Sequence, residues 1–356
     1  MVKLGFGLYK HMLNDEHYKF AKQCGATHLV IHMVDYFGHE KNAKDNTNQP
    51  VGQKEGWGKA GIGTPIWSVE ELKAIKSRIN SHGLALEAIE NFDPAHWHDI
   101  LLDGPKKTEQ IENLKQLIRN VGEAGIPIFG YNFSLAGVSS RMMGEFARGG
   151  AVSVAMEKGD DTPIPKGMVW NMVYDENPPG GIMPETSHDE LWSRVAYFLQ
   201  ELLPVAEEAG VKLAAHPDDP PLPYVRKTPR LVFQPDLYQK LLDIKDSKAN
   251  TLEFCLGSIA EMTEGDVYEA TEHYSRQGKI AYIHFRNVIG KVPNYKEVFV
   301  DEGDINMLEI LKILKKNEFD GVIIPDHTPQ MSCNAPWHAG MAYAMGYMKA
   351  LIKQIE

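Results

Sequence analysis

Cysteine is scarce in this chain. The 356 residues include three, Cys24, Cys255 and Cys333. The number is odd and no Cys-x-x-Cys pair occurs, which argues against a disulfide framework and for a reducing, cytoplasmic setting. Positive charge is also short. Lys and Arg total 37 against 48 Asp and Glu, a formal net charge of −11. A general nucleic-acid binder needs a basic stripe to displace counterions from phosphates, and none is present. The balance still allows a small anionic substrate, because a few local arginines can reverse the field at one mouth. No apolar stretch approaches the length of a membrane span. The apolar start, residues 1–7, is too short for a signal peptide and reads as a first strand. No Gly-x-Gly-x-x-Gly turn follows it, which weighs against a doubly wound dinucleotide sheet. Internal repeats and low-complexity tracts are missing too.

What remains is an ordinary enzyme composition, 43% hydrophobic and 24% charged. Short apolar or β-branched runs alternate with amphipathic helical patterns eight times. Strands are expected at 3–9, 27–33, 84–90, 126–132, 211–215, 251–254, 280–283 and 321–325. Helices are expected at 15–24, 68–82, 107–124, 189–209, 234–242, 265–277, 305–316 and 339–355. Gly25, Gly83, Gly125 and Gly210 stand where helices stop. The pattern predicts an α/β fold, a (β/α)8 TIM barrel in a single domain over 1–356. Two connections are too long to be routine: 35–65 after strand two and 133–188 after strand four. The second, rich in Gly, Met and Pro, reads as a lid or a dimer arm, so a homodimer is expected.

Four successive strands end in residue types that bind metals. The run 211–215 ends in His216, 251–254 in Cys255, 280–283 in His284 and 321–325 in Asp326. Strand C-termini of a parallel barrel converge on one mouth. One thiolate, two imidazoles and one carboxylate suit Fe(II), Mn(II), Co(II) or Zn(II) better than Mg(II) or Ca(II). Ligands spread one per strand require the fold to exist first, which points to catalysis rather than to a structural zinc site. Taken singly, Cys255 reads as a small buried hydrophobe and His284 as a core histidine. Four coincident strand ends favour a shared site.

Neighbouring residues carry further expectations. Asp218 and Asp219 precede Pro220-Pro221 and either cap a loop or orient His216 and contact a substrate hydroxyl. Arg286 and Asn287 follow His284 directly, and the planar arginine fork suits a substrate carboxylate. His327, beside Asp326, suits a general acid or base. Asn132 ends strand four and is a candidate substrate contact. The early histidines His11, His17, His28 and His39 read as incidental; His32, at the end of strand two, is the exception.

With these residues in hand, the sequence resembles the mannonate dehydratase family. The likeness rests on His-Pro-Asp-Asp-Pro-Pro at 216–221, Phe-Cys-Leu-Gly-Ser at 254–258 and His-Phe-Arg-Asn-Val at 284–288. It continues in Phe-Val-Asp-Glu-Gly-Asp at 299–304, Pro-Asp-His at 325–327 and Gly-Tyr-Asn-Phe at 130–133. The resemblance implies a TIM barrel and a divalent metal, Fe(II) or Mn(II). It implies conversion of D-mannonate to 2-keto-3-deoxy-D-gluconate plus water, in D-glucuronate breakdown. It places metal ligands at His216, Cys255, His284 and Asp326 and proton transfer at His327. The family has a Pro-Gly-Tyr whose tyrosine assists catalysis, and this chain has Pro336-Trp337-His338 there. Either His338 takes over that role, or this branch acts on another acid sugar. Rival readings are a xylose-isomerase-like isomerase or epimerase, an endonuclease-IV-like phosphodiesterase, and a sugar-acid sensor without turnover.

Overall fold

The computed structural model describes residues 1–37 and 56–356. The middle of the expected 35–65 connection, with His39, lies outside them. Eight parallel strands close into a barrel. We number them β1 (Lys3–Leu8), β2 (His28–His32), β3 (Ala85–Glu90), β4 (Ile128–Tyr131), β5 (Lys212–Ala215), β6 (Asn250–Cys255), β7 (Ile280–His284) and β8 (Val322–Ile324). Each pairs with its sequence neighbours, and β8 pairs with β1 to close the ring. This is the TIM barrel that the eightfold alternation predicts.

The strands are apolar on both faces because both are covered. Val30, Ala88, Ile128, Ala214, Tyr282, Val322 and Ile324 form one buried cluster, the fill of the barrel. A much larger cluster, including Leu29, Ile31, Leu213, Phe254 and Ile323, joins the opposite strand faces to the surrounding helices. The helix ends follow local chemistry. The Ser187 hydroxyl accepts the Glu190 amide, and the Glu190 carboxylate accepts the Ser187 amide, a reciprocal cap for the helix His188–Ala209. That helix stops at Gly210, whose φ of 67° is left-handed.

The structure adds elements that the pattern did not predict. Pro94–Leu102 and Leu256–Glu261 are short helices. Each starts within a few residues of a strand end, so the periodic signal of one merges with the other. Residues 133–188 contain regular structure. Strands Met142–Ala147 and Ala151–Met156 join Val288–Lys291 and Asn294–Glu297 in a four-stranded antiparallel sheet. The segment after β4 is thereby bolted to the segment after β7. A second hairpin, Met168–Val169 with Met172–Val173, turns through Trp170 and Asn171 at φ 53° and 56°. Two positive φ values give the tight turn whose twist suits a hairpin. They strain a bulky tryptophan, and such strain concentrates at functional sites.

Candidate metal centre and substrate cleft

Register brings the donors together. Cys255 and His284 are cross-strand partners at the C-terminal ends of β6 and β7. The His216 amide donates to the Tyr131 carbonyl at 2.8 Å, which extends the β4–β5 ladder by one residue. One donor atom each from His216, Cys255 and His284 lies within 4.8 Å of the others. Asp326 approaches from the rim. It has φ 62°, and its Oδ2 is 3.5 Å from His284 Nδ1.

The donors are set up for a cation. His216 Nδ1 lies 2.6 Å from the Pro217 carbonyl, which can only accept, so Nδ1 carries the proton and Nε2 keeps a lone pair. Burial would raise the Cys255 thiol pKa, but the Arg286 charge beside it holds it well below the usual range, as thiolate. Burial also opposes ionisation of Asp326, yet the His327 and His284 charges keep it well below an ordinary carboxylate. Both ring nitrogens of His284 are buried and neither makes an aligned hydrogen bond. Thiolate, imidazoles and carboxylate with an orphaned buried nitrogen fit a borderline divalent ion.

Beneath this layer lies a second cluster, of Glu90, a strand-end residue that the sequence marks as a candidate for the mouth, and Glu253, which it does not mark. His284 Nε2 is 3.2 Å from Glu253 Oε1 and 3.5 Å from Glu90 Oε1. These carboxyls orient the ring from behind, as groups beyond the ligands of a metal site do. Burial and the Glu90 charge raise Glu253 well above the carboxylate range, so it holds a proton. Burial favours the neutral form of Glu90 too, but His32 and His284 bring it down to about 2. Gly130 makes room for the cluster: a Cβ there would sit 2.4 Å from both Glu253 Oε2 and the Tyr282 hydroxyl. A signal was available. Glu253 and Tyr282 stand two residues before Cys255 and His284, so they share their inward face.

His216, His284 and Asp326 open into a cleft. Asp219, Asp326, His327, His32, Glu90 and Asn132 line it. Tyr9, Tyr36, Trp57 and Trp170 supply aromatic wall. Tyr9 stacks on His32 with ring centroids 4.5 Å apart. Arg141 reaches in from the end of the four-stranded sheet. His327 Nδ1 is 2.8 Å from Glu297 Oε2, so the ring is held by that same sheet. Among the described residues, no sequence pattern marks Arg141, Glu297 or Trp170, because the added sheet and hairpin carry them to the mouth.

His216, Cys255, His284, Asp326, His327 and Asn132 all converge as expected, and Asn132 also donates to the Pro217 carbonyl at 3.1 Å. Four expectations are corrected. Asp218 is a loop pin: it accepts the Leu231 and Val232 amides at 2.7 and 2.8 Å and pairs with Arg230 at 2.8 Å. Asp219 is the one that faces the cleft. Arg286 lies behind the donors, not among the lining residues. Its guanidinium meets Asp219 at 3.0 Å, Ser258 at 2.9 Å, Glu261 at 3.4 Å and the Cys255 sulfur at 3.4 Å, and it also contacts Glu297. Asn287 spans the Val300 and Ile305 carbonyls at 3.0 Å each, tying a loop. His338 sits in the helix Pro336–Ile355 with its ring 4.7 Å from Phe20 and 4.9 Å from Trp337, away from the cleft lining. The helical phase of that segment, invisible to a motif count, turns it outward from the barrel axis.

Fold and site together define a (β/α)8 enzyme with a candidate metal centre at the C-terminal mouth of its barrel. Sequence comparison is more specific. The chain belongs to the D-mannonate dehydratase (UxuA) family of hydro-lyases, whose model matches residues 44–156 and 182–356. A mannonate dehydratase of Streptococcus pneumoniae (strain 70585) is 32% identical over 277 residues, 73% of this chain and 74% of that protein. One from Geobacillus thermodenitrificans (strain NG80-2) is 32% identical over 286 residues, 74% and 76% of the two chains. The crystal structure of mannonate dehydratase from Streptococcus suis serotype 2 superposes with a TM-score of 0.77 at 26% identity, covering 99% of this chain and 93% of that one. D-psicose 3-epimerase from Clostridium cellulolyticum H10, at 12% identity and TM-score 0.58, shares the fold. Among the described residues, no helix is long and apolar enough to cross a membrane.

Proposed function

We propose that this chain dehydrates D-mannonate to 2-keto-3-deoxy-D-gluconate with bound Fe(II) or Mn(II), as a step of D-glucuronate breakdown. The observation that carries the reading is the His216–Cys255–His284 donor cluster opening beside His327 into a polar cleft. His216, Cys255 and His284, with Asp326 from the rim, would hold the ion. When bound, it supplies Lewis acidity toward substrate oxygens and so acidifies the proton on C2.

The chain's own residues do the rest. Dehydration breaks the C2–H and C3–O bonds, forms C2=C3 and releases the C3 hydroxyl as water. The resulting enol takes a proton at C3 and becomes the 2-keto acid. His327, aimed by Glu297, protonates the departing hydroxyl. Tyr9 stacks on His32 on the wall formed by the first two strands, and His32, whose burial favours the neutral ring, receives the C2 proton. His338 takes no part, since its ring packs on Phe20 and Trp337. The 133–188 segment serves as lid, with Trp170 over the mouth.

Mass spectrometry of D-mannonate incubated anaerobically with the protein, with and without Mn(II) or Fe(II), tests the reading. The expected product is lighter by one water and appears only with metal. An unchanged mannonate peak from metal-loaded protein refutes it, and a product of unchanged mass means an isomerase or epimerase. His327→Asn should lower kcat by about 10²- to 10⁴-fold while metal content holds; near-normal turnover would remove His327 from the mechanism.

A further inference from the structure

A sugar acid brings a carboxylate into a cleft whose described walls already carry Asp219, Glu90 and Asp326. Something must offset that charge. The arginine of the His-Phe-Arg-Asn motif is spent: Arg286 is fully committed to Asp219, Ser258, Glu261, Glu297 and Cys255. A Cβ on Gly257 would meet its Nε at 2.5 Å, so the guanidinium is walled in on that side as well.

Arg141 is placed differently. It follows Ser140, whose left-handed φ of 68° turns the chain as the strand Met142–Ala147 begins. Its side chain is 5% exposed and lines the cleft. Among the described residues of that lining it is the only arginine or lysine. Its contacts are long: 3.5 Å to Glu297 Oε1 and 3.9 Å to Asp219 Oδ2. Charge-assisted arginine–carboxylate bonds run about 2.7–2.9 Å. Both acids have nearer partners, since Arg286 takes Asp219 Oδ2 and Glu297 Oε1, and His327 takes Glu297 Oε2. The two acids therefore hold a buried cation at the cleft without using up its planar fork.

We infer that Arg141 anchors the carboxylate of the substrate and selects acid sugars over neutral ones, an inference that rests on the dehydratase reading above. The donors of the fork match a carboxylate pairwise. D-mannitol, which carries a CH2OH in place of that carboxylate and the same hydroxyls elsewhere, is the neutral probe. In Mn(II)-loaded protein, Arg141→Gln should raise KM for D-mannonate about 10- to 100-fold and leave the inhibition constant of D-mannitol within about twofold. Arg141→Lys, which keeps the charge without the fork, should fall between and carries the same comparison if the glutamine variant does not fold. An unchanged KM, or equal loss for acid and alcohol, overturns the inference, because a merely structural arginine would move both. A wild type without preference for the acid overturns it too. If D-mannonate is bound but not turned over, the dehydratase reading fails separately, and the acid-over-alcohol preference is read from the fluorescence of Trp57 and Trp170 in the cleft.

Discussion

At the scale of single residues, Asp218 and Asp219 show how little a motif reveals about direction. Asp218 takes two backbone amides and the fully buried Arg230, while Asp219, next in the chain, faces the cleft. The two side chains leave the loop after β5 in different directions, so only Asp219 reaches the cleft. Arg230 also donates to the Ser134 hydroxyl and to the Gly137 and Asp219 carbonyls, so its charge is countered by Asp218 alone among these partners. Removing one member of a buried ion pair leaves the other uncompensated, at a cost of about 3–5 kcal/mol. Asp218→Ala should therefore lower the urea midpoint strongly, while KM of the remaining folded protein stays near wild type. A large KM rise with unchanged stability would return Asp218 to the substrate site.

At the scale of elements, the strand ends were legible because each apolar run is short and ends in a residue of contrasting chemistry. The β6–β7 register then sets Cys255 opposite His284 without further help. Helix ends were equally local. The reciprocal Ser187–Glu190 cap precedes the long helix His188–Ala209, which packs on the barrel through Leu191, Val195, Phe198 and Leu202. Ser187→Ala removes the side-chain acceptor for the Glu190 amide and should cost about 1 kcal/mol, read as a small drop in Tm. No change in Tm would mean that tertiary packing holds this terminus without its cap. The sheet joining 142–156 to 288–297 was illegible, because its two hairpins lie over a hundred residues apart and neither shows a clean alternation.

At the scale of the whole molecule, the barrel and its candidate metal site are separable. The interior cluster around Val30, Ile128, Tyr282 and Ile324 and the helix-facing core are apolar and continuous without the donors. Chelation should abolish dehydration and keep the far-UV circular dichroism. Tm should fall by only a few degrees, since an ion at about 100 times its Kd adds roughly 2.7 kcal/mol. Collapse of the helical signal on chelation would instead make the metal part of the fold. The net charge of −11 is a property of the same scale. It argues against a general nucleic-acid binder but says nothing about one mouth, where the local cations decide.

The order of the eight barrel strands, the closed parallel barrel, the strand-end donors and the family all follow from the sequence alone, because they depend on local periodicity and on residues one strand apart. Tertiary structure alone decided which neighbours of those donors face the cleft. It turned Arg286, Asn287 and His338 away from it, put Glu253 and Glu90 behind His284, and carried Arg141, Glu297 and Trp170 in from the added sheet and hairpin. The physical reason is that side-chain direction depends on register, helical phase and left-handed turns such as those at Ser140, Trp170 and Asp326, which long-range packing sets and a linear pattern does not record.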